Sequence, residues 1–395
     1  MRRVRLKEIG TFYSGLSGKS KSDFSEGNAL LVTYRNIFNN PVLNPAIKDT
    51  VVVGKDEKQN EVLWGDILIT GSSETPADAG MSSVVLFNPQ EKMYLNSFCF
   101  GFRLNDMNEA LPSYIGHLLR STSIRAAISK TAFGVTRFNV NRMRFADIEI
   151  PLPPLNIQKD MVSILDSFTS LIDKMKQEAE MRKKQMDYYR EKLFSFGKEE
   201  CEWRTLNELF TFKNGINKEK NDFGRGAPII NYVDVYRKRG LVKEDIKGLV
   251  NSNASEQSRY KCKKGDVFFT RTSETKEEVG FPAVLLEDIE NCVFSGFVLK
   301  ATPTTDLLDT HYCKYCFFTY QFRKEVIKSA TYTTRALTNG TSLSKISIPV
   351  PSLEKQRQIT SILDTFETYI SKLEKMIELR QKQYEYYREK LLTFE

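Results

Sequence analysis

The sequence says the same thing twice. Ile148-Glu149-Ile150-Pro151-Leu152-Pro153 returns as Ile346-Ser347-Ile348-Pro349-Val350-Pro351, and Ser163-Ile164-Leu165-Asp166 returns as Ser361-Ile362-Leu363-Asp364. Tyr188-Tyr189-Arg190-Glu191-Lys192-Leu193 returns at 386–391. Every pair is offset by 198 positions, with no gap across the segment. A duplicated strand-to-helix unit predicts two similar bodies held in a fixed relation, an arrangement suited to a target in two parts.

The repeat extends into the rest of each half with a drifting register. Trp64-Gly65-Asp66-Ile67-Leu68-Ile69-Thr70 corresponds to Lys264-Gly265-Asp266-Val267-Phe268-Phe269-Thr270, and Ser73-Glu74-Thr75 to Ser273-Glu274-Thr275. Asn96-Ser97-Phe98 matches Ser295-Gly296-Phe297, and Thr136-Arg137 matches Thr334-Arg335. The small insertions between these anchors fall where surface loops tolerate them. Val62–Thr70, Val267–Thr270, Met81–Phe87 and Phe281–Leu286 read as strands, and Pro112–Ile128 and His311–Ile327 as one helix each. Each half is mixed α and β.

The clearest structural signal follows each Ile-x-Ile-Pro strand. Met161, Leu165, Phe168, Ile172, Met175, Ala179, Arg182, Met186, Tyr189 and Leu193 alternate spacings of four and three. Ile359, Leu363, Phe366, Ile370, Leu373, Ile377, Arg380, Tyr384, Tyr387 and Leu391 do the same. This is a heptad stripe, and a helix from Leu155 to Phe196 would run roughly 60 Å. One apolar stripe is unstable alone in water, so each helix needs a partner, and the obvious one is the other copy. Leu165, Phe168, Ile172, Met175, Leu363, Phe366, Ile370 and Leu373 are the expected interhelix contacts. Arg182 and Arg380 interrupt both stripes at the same place, as snorkelling or register-fixing residues or as contacts for another subunit.

Composition bounds the rest. The chain of 395 residues is 41% hydrophobic with 26 Phe and 17 Tyr, enough for a packed core in each half. No apolar run is long enough to span a membrane. The basic start Met1-Arg2-Arg3-Val4-Arg5 has no apolar stretch after it, so a signal peptide is not expected and a cytoplasmic location is. A net charge of +8 fits a polyanionic partner. Two histidines, His117 and His311, leave little room for a histidine-based zinc site or nucleophile. Cys313-x-x-Cys316 has no second cysteine pair at metal spacing and reads as packing cysteines, so no metal site and no catalytic residue is expected. Gly15-Leu16-Ser17-Gly18-Lys19-Ser20 ends like a phosphate-binding loop but has two residues between its glycines where four are needed.

The ordered pair of Ile-x-Ile-Pro-x-Pro exits, then Leu155-x-x-Gln158 and Leu353-x-x-Gln356, then the heptad helices, resembles the specificity (S) subunit of type I restriction–modification systems. The two Gly-Asp strand openings add to the likeness, which covers nearly the whole chain. The resemblance implies an α+β fold: two similar mixed α/β target recognition domains joined by two long antiparallel coiled-coil helices, with a pseudo-two-fold internal repeat. Recognition domains are expected over 1–154 and 198–352, and spacer helices over 155–197 and 353–395. The chain opens almost directly on the first recognition domain and ends on the second helix, which a repeat that closes cyclically in space would allow.

The resemblance further implies a non-catalytic subunit that recognises a bipartite double-stranded DNA site, with the halves separated by about one helical turn, ~34 Å. Its implied partners are two methyltransferase (M) subunits and restriction/translocase (R) subunits, with no membrane. S-adenosylmethionine, ATP and Mg would be used by those partners and no cofactor held by this chain. A coiled-coil protein scaffold, an enzyme with an unrecognised site and the specificity subunit of a related DNA-modifying defence system are the alternatives.

Phosphate contacts need basic or hydroxyl side chains, and base readout favours Arg on guanine and Asn or Gln on adenine. Four places in each half offer them. The first is Lys19 and Lys21, matched by Lys218 and Lys220. The second is Tyr34, Arg35 and Asn36, matched by Tyr232, Arg237, Lys238 and Arg239. The third is Ser72 and Ser73, matched by Arg271, Thr272 and Ser273. The fourth is Thr136 and Arg137, joined by Arg142 and Arg144 and matched by Thr334 and Arg335. For any single lysine a solvated surface charge is the plainer reading. The shared Thr-Arg suits a shared phosphate contact, whereas Arg35, Asn36, Arg237 and Arg271 differ between the halves and are the expected base readers.

Overall fold

The computed structural model describes residues 2–197 and 201–394. The expected domain boundary at residue 198, and the ends Met1 and Glu395, lie outside them. The chain divides into two compact units, Met1–Lys176 with Lys375–Glu395, and Gln177–Glu374.

In the first unit, strand Arg2–Arg5 pairs antiparallel with Glu149–Leu152, the Ile-x-Ile-Pro segment, with Arg3 opposite Pro151. A two-stranded ribbon tolerates a proline because the missing N–H can face away from the partner. A four-stranded antiparallel sheet runs in the order Gly10–Ser14, Cys99–Leu104, Ile67–Thr70, Ser82–Val84. A three-stranded sheet holds Thr50–Val51, Ala29–Val32 and Met93–Leu95.

The second unit repeats this plan. Glu202–Thr205 pairs with Ser347–Val350. Its main sheet runs Phe210–Asn214, Val298–Pro303, Val267–Thr270, Pro282–Leu285, Gly240–Leu241. The fifth strand joins Pro282–Leu285 in parallel; in the first unit its place is taken by a single bridge, Val42 to Val84.

Two expectations need correcting. The run from Val62 to Thr70 is not one strand. Gly65 turns at φ +86° and the strand begins at Ile67; Ser82–Val84 and Pro282–Leu285 are likewise shorter than the runs that contain them. Nor are Pro112–Ile128 and His311–Ile327 single helices. The first breaks into Pro112–Leu119 and Thr122–Ser129, the second into Thr310–Cys316 and Tyr320–Ser329. The breaks fall at Ser121 and Thr319, whose hydroxyls donate to the carbonyls of Leu118 and Cys316. Such local bonding ends one helix, and these residue types open the next.

The Gly-Asp pair buries a carboxylate in both units. Asp66 accepts from the Tyr13 hydroxyl and from Nε and Nη2 of Arg103, each at 2.7 Å. Asp266 meets the Lys300 ammonium at 3.1 Å and the Lys263 N–H at 2.8 Å. Lys300 stands opposite Phe268 where Gly101 stands opposite Leu68. At Gly101 a Cβ would fall 2.0 Å from the Tyr13 ring. The charge is neutralised from different strand positions in the two copies.

The long helices are Leu155–Leu193 and Leu353–Leu392. The first stops three residues short of the expected Phe196, because Phe194 turns into the core and stacks on Tyr312 at 4.9 Å. In the first unit Leu165 and Ile172 join a core with Tyr384 and Leu392, and Phe168 stacks on Tyr387 at 5.4 Å. In the second, Leu363 and Ile370 join Met186 and Phe194, and Phe366 stacks on Tyr189 at 5.6 Å. Lys183 meets Glu374 at 2.6 Å while Tyr189 meets Phe366, so the pairing within this unit is antiparallel. Met175 and Leu373 are buried as well. Arg182 snorkels: its guanidinium lies 5.5 Å from the Tyr369 ring and bonds Gln185 and Glu178.

Each helix is fastened at its start by one amide. Gln158 is fully buried; it accepts from the Leu111 N–H and donates to the carbonyls of Glu109 and Pro153. Gln356 does the same with Asp309, Leu307 and Pro351. Helix ends are fastened by the Tyr-Tyr-Arg-Glu-Lys-Leu motif. The Glu389 carboxylate accepts from the Thr122 N–H at 2.9 Å, and Glu191 from the Tyr320 N–H at 2.9 Å. Each fills the N-terminus of the short helix that opens there, where orphan N–H groups favour an anion. His117 adds a third tie, its Nε2 at 2.8 Å from Asp166 and its Nδ1 at 3.1 Å from the Tyr384 hydroxyl. At the equivalent place Tyr315 donates to Asp364 at 2.6 Å.

Replacing Gln158 with Leu strands three buried backbone groups, so the variant should lose about 2 kcal/mol or more of unfolding free energy. A urea midpoint equal to that of the parent chain would refute this role. Cys313 and Cys316 are buried, and burial pushes the Cys313 thiol up to about 12. Both should resist a thiol reagent in the folded chain at pH 8 and react only on unfolding, as mass spectrometry of labelled peptides would record.

Candidate nucleic-acid interface

Three of the four sequence-predicted places in the first unit meet around one cavity of about 690 Å³, lined among others by Tyr34, Phe38, Ser72, Ser73, Phe98, Thr136 and Arg137. A small sheet builds it. Ala132–Phe133 and Phe138–Val140 form a hairpin, and Phe138 and Asn139 pair with Ser73 and Ser72. Gly134 turns at φ +135°, where a Cβ would lie 2.0 Å from the Arg137 carbonyl oxygen, so Thr136-Arg137 sits at a hairpin that only glycine closes. The Arg137 Nε donates to the Ser72 hydroxyl at 3.0 Å, and its guanidinium lies 5.2 Å from the Phe98 ring centre. Tyr34 and Phe38 stack at 5.7 Å on the helix Tyr34–Asn39, which Thr33 caps. Glu74 and Asp78 put negative charge on the rim.

The second unit assembles the equivalent group. Thr272–Ser273 pairs with Ala336–Leu337, which pairs with Thr331–Tyr332, so Thr334-Arg335 again lies in the hairpin. Tyr232 and Tyr236 stack at 5.8 Å on the helix Tyr232–Arg237. The Tyr236 hydroxyl donates to Glu278 at 2.8 Å, and burial foremost, then Glu278, pushes the Tyr232 phenol up. Arg335 pairs loosely with Glu274 at 3.5 Å, both largely exposed. Arg271 gives one N–H to the Gly296 carbonyl at 2.9 Å.

The remaining candidates are placed differently. Lys19 is held against Glu57, and Lys218 against Glu256 at 2.8 Å; both ammonium groups are mostly covered. Lys21 and Lys220 are exposed on short 3₁₀ turns. Arg35 and Arg237 are exposed, but the Asn36 amide bonds the Asn44 backbone through both its ends and takes a third bond from Asn40. Lys238 pairs with Asp245 at 3.2 Å. Arg239 lies over the Phe318 ring at 4.9 Å, and burial foremost, then Arg190, lowers its pKa. Arg142 reaches Ser14 at 2.8 Å and covers Phe100, and Arg144 is exposed.

Sequence reasoning missed two supports. Arg125 donates to the carbonyls of Ala77, Ala79 and Gly80, and Arg323 to those of Glu277, Val279 and Gly280. Burial lowers the Arg323 pKa to about 10, which leaves it charged at neutral pH. These arginines clamp the loop that follows Ser73 and Ser273; their common offset of 198 was the available signal. Among the described residues no group of three or more His, Cys, Asp or Glu side chains is arranged to hold a metal ion. No helix among them is long and apolar enough to cross a membrane.

Residues 1–181 and 198–381 match the family described as type I restriction modification DNA specificity domain. The chain is 31% identical to the EcoR124I/EcoR124II specificity subunit of Escherichia coli, over 62% of this chain and 63% of that protein. The matched part thus spans less than two thirds of that relative's length. It is 30% identical to a putative type I restriction enzyme specificity subunit of Haemophilus influenzae, over 66% of this chain and 68% of that one. In fold it resembles the crystal structure of the type I restriction-modification S subunit from M. genitalium, with a TM-score of 0.54 and 16% identity. That likeness covers 100% of this chain and 96% of the other. With its two family matches lying on the two halves of the repeat, this chain belongs to the type I restriction–modification DNA specificity family.

Proposed function

We propose that the chain is the DNA-recognition subunit of a type I restriction–modification complex, reading one half of a bipartite duplex site with each unit. The observation that carries this reading is the duplicated group of Thr-Arg hairpin, Ser-bearing strand and stacked aromatic pair. It recurs in both units while the loops around it differ. Arg137 and Arg335 sit at the common position and would hold phosphates; Arg35, Arg237 and Arg271 sit where the halves differ and would read bases. A net charge of +8 favours the polyanion.

In this reading the chain is non-catalytic and cytoplasmic and works on DNA through its partners. Methylation comes from two methyltransferase subunits using S-adenosylmethionine, and cleavage from restriction subunits using ATP and Mg. The long helices support the pairing with two such subunits, because each unit exposes the same four apolar positions. In the first unit these are Ile164, Leu171, Leu379 and Tyr386; in the second, Ile362, Tyr369, Met181 and Tyr188. On each helix the two are seven residues apart, hence on one face. Paired exposed apolar positions suit protein contacts.

Filter binding of the purified chain to random-sequence duplexes at two salt concentrations tests the reading. A steep fall of affinity with salt is expected, and a flat response would return the chain to the scaffold alternative. Arg137→Ala should weaken binding to all duplexes alike and lower the slope of log affinity against log salt by about 1. Lys19 is held to Glu57 rather than free. The hydrogen bond from Lys19, then that from Gln59, hold the Glu57 carboxyl down at about 2. The loop contact is therefore complete above the ordinary glutamate range near 4.5 and is lost as pH falls through about 2. Carboxyl NMR should show that low midpoint, and Lys19→Ala should move it up towards 4.5 with little change in DNA affinity.

A further inference from the structure

One pair of side chains near the proposed interface is exposed against the habit of its residue type. Phe98 and Phe297 are 57% and 68% exposed, although phenylalanine gains most from burial. They occupy the same place in the two units, at the turn before Cys99–Leu104 and Val298–Pro303. That turn is rigid in both. The Phe98 N–H bonds the Asn96 side chain and its carbonyl accepts from Gly71, while the Phe297 N–H bonds the Ser295 hydroxyl and its carbonyl accepts from Arg271. The backbone of each is thus tied to the residue just before the strand that carries Ser72 or Thr272. The other exposed apolar residues nearby are not duplicated: at the offset of 198 Phe133 and Val135 give way to Thr331 and Thr333, while Tyr332 and Leu337 stand where the first unit has Gly134 and Asn139. A surface ring kept in both copies, while the exposed apolar residues around it change from one copy to the other, points to a task common to both units.

We propose that Phe98 and Phe297 are base-stacking contacts, one for each half of the DNA site. This rests on the DNA-recognition reading and deepens it. The setting favours a nucleobase over a protein partner. Phe98 is a single ring flanked by the Arg137 guanidinium and the Ser72 hydroxyl, with the stacked Tyr34 and Phe38 lining the same cavity. Cationic and hydroxyl groups can grip the backbone while the flat apolar face meets a base, partly unstacked, or a thymine methyl. The ring carries no charge, so its contribution does not depend on counterion release.

The test uses the full chain and the duplex that the unaltered chain enriches from a random-sequence pool. F98A and F297A alter exposed side chains, and a melting temperature equal to the parent's confirms that each is folded. Each should bind the enriched duplex roughly tenfold more weakly with the salt slope unchanged, and F98W should restore binding because a larger ring still stacks. Selection repeated with F98A should lose preference at adjacent base pairs in one half of the site only, and with F297A in the other half. Parent-like affinity of both alanine variants, or loss of methyltransferase-subunit capture instead of DNA affinity, overturns the assignment while leaving DNA recognition standing. If the unaltered chain enriches no duplex, both fall.

Discussion

Everything in each unit depends on a buried glutamine. A long helix with one apolar stripe gains nothing by standing alone in water, and a small mixed sheet does not dictate where a helix leaves it. Gln158 and Gln356 fix the exit by saturating three backbone groups each at the junction. The tyrosine hydroxyls of Tyr114 and Tyr312 reinforce it, donating to the carbonyls of Pro151 and Pro349 at 3.0 and 2.9 Å. Because those donors and acceptors are buried, leaving any of them unpaired is costly, so the exit direction is held tightly.

The helix ends are held by a different principle. Glu389 and Glu191 bring a negative charge to helix N-termini, and Arg190, almost buried, is itself balanced by Asp187 and Glu191. Start and end of each heptad helix are thereby tied to globular parts, one by neutral hydrogen bonds and the other by charge. The recognition groups sit on the same scaffolds, on hairpins and short helices whose loops are clamped by Arg125 and Arg323.

The repeat, the heptad stripes and the recurrence of the Thr-Arg pair were legible in the sequence because they are periodic or duplicated; that each pair lies in a hairpin was not. The helix breaks at Ser121 and Thr319 were not, since the apolar spacing continues across them and only a local hydroxyl bond interrupts the backbone. Asn36 and Lys19 read as recognition groups because partners eight and 38 residues away, a backbone segment at Asn44 and the Glu57 carboxylate, are invisible to spacing arguments. Phe98 and Phe297 were noted as repeat anchors, but burial is the default for phenylalanine and exposure cannot be read from a ring's identity.

The buried carboxylates of the Gly-Asp turns show how the two copies differ. Asp66 is answered by Tyr13 and Arg103, Asp266 by Lys300 from the site where the first copy has glycine. A lysine at 101 needs the ring at 13 gone, and losing that ring and Arg103 without a lysine leaves an ion stranded in the interior. Divergence at such a place proceeds only through linked changes. A single residue moved from one half into the other would therefore clash or leave the carboxylate short of a partner, whereas the residues at 13, 101 and 103 exchanged together would keep it answered. The copies share a blueprint without having interchangeable parts.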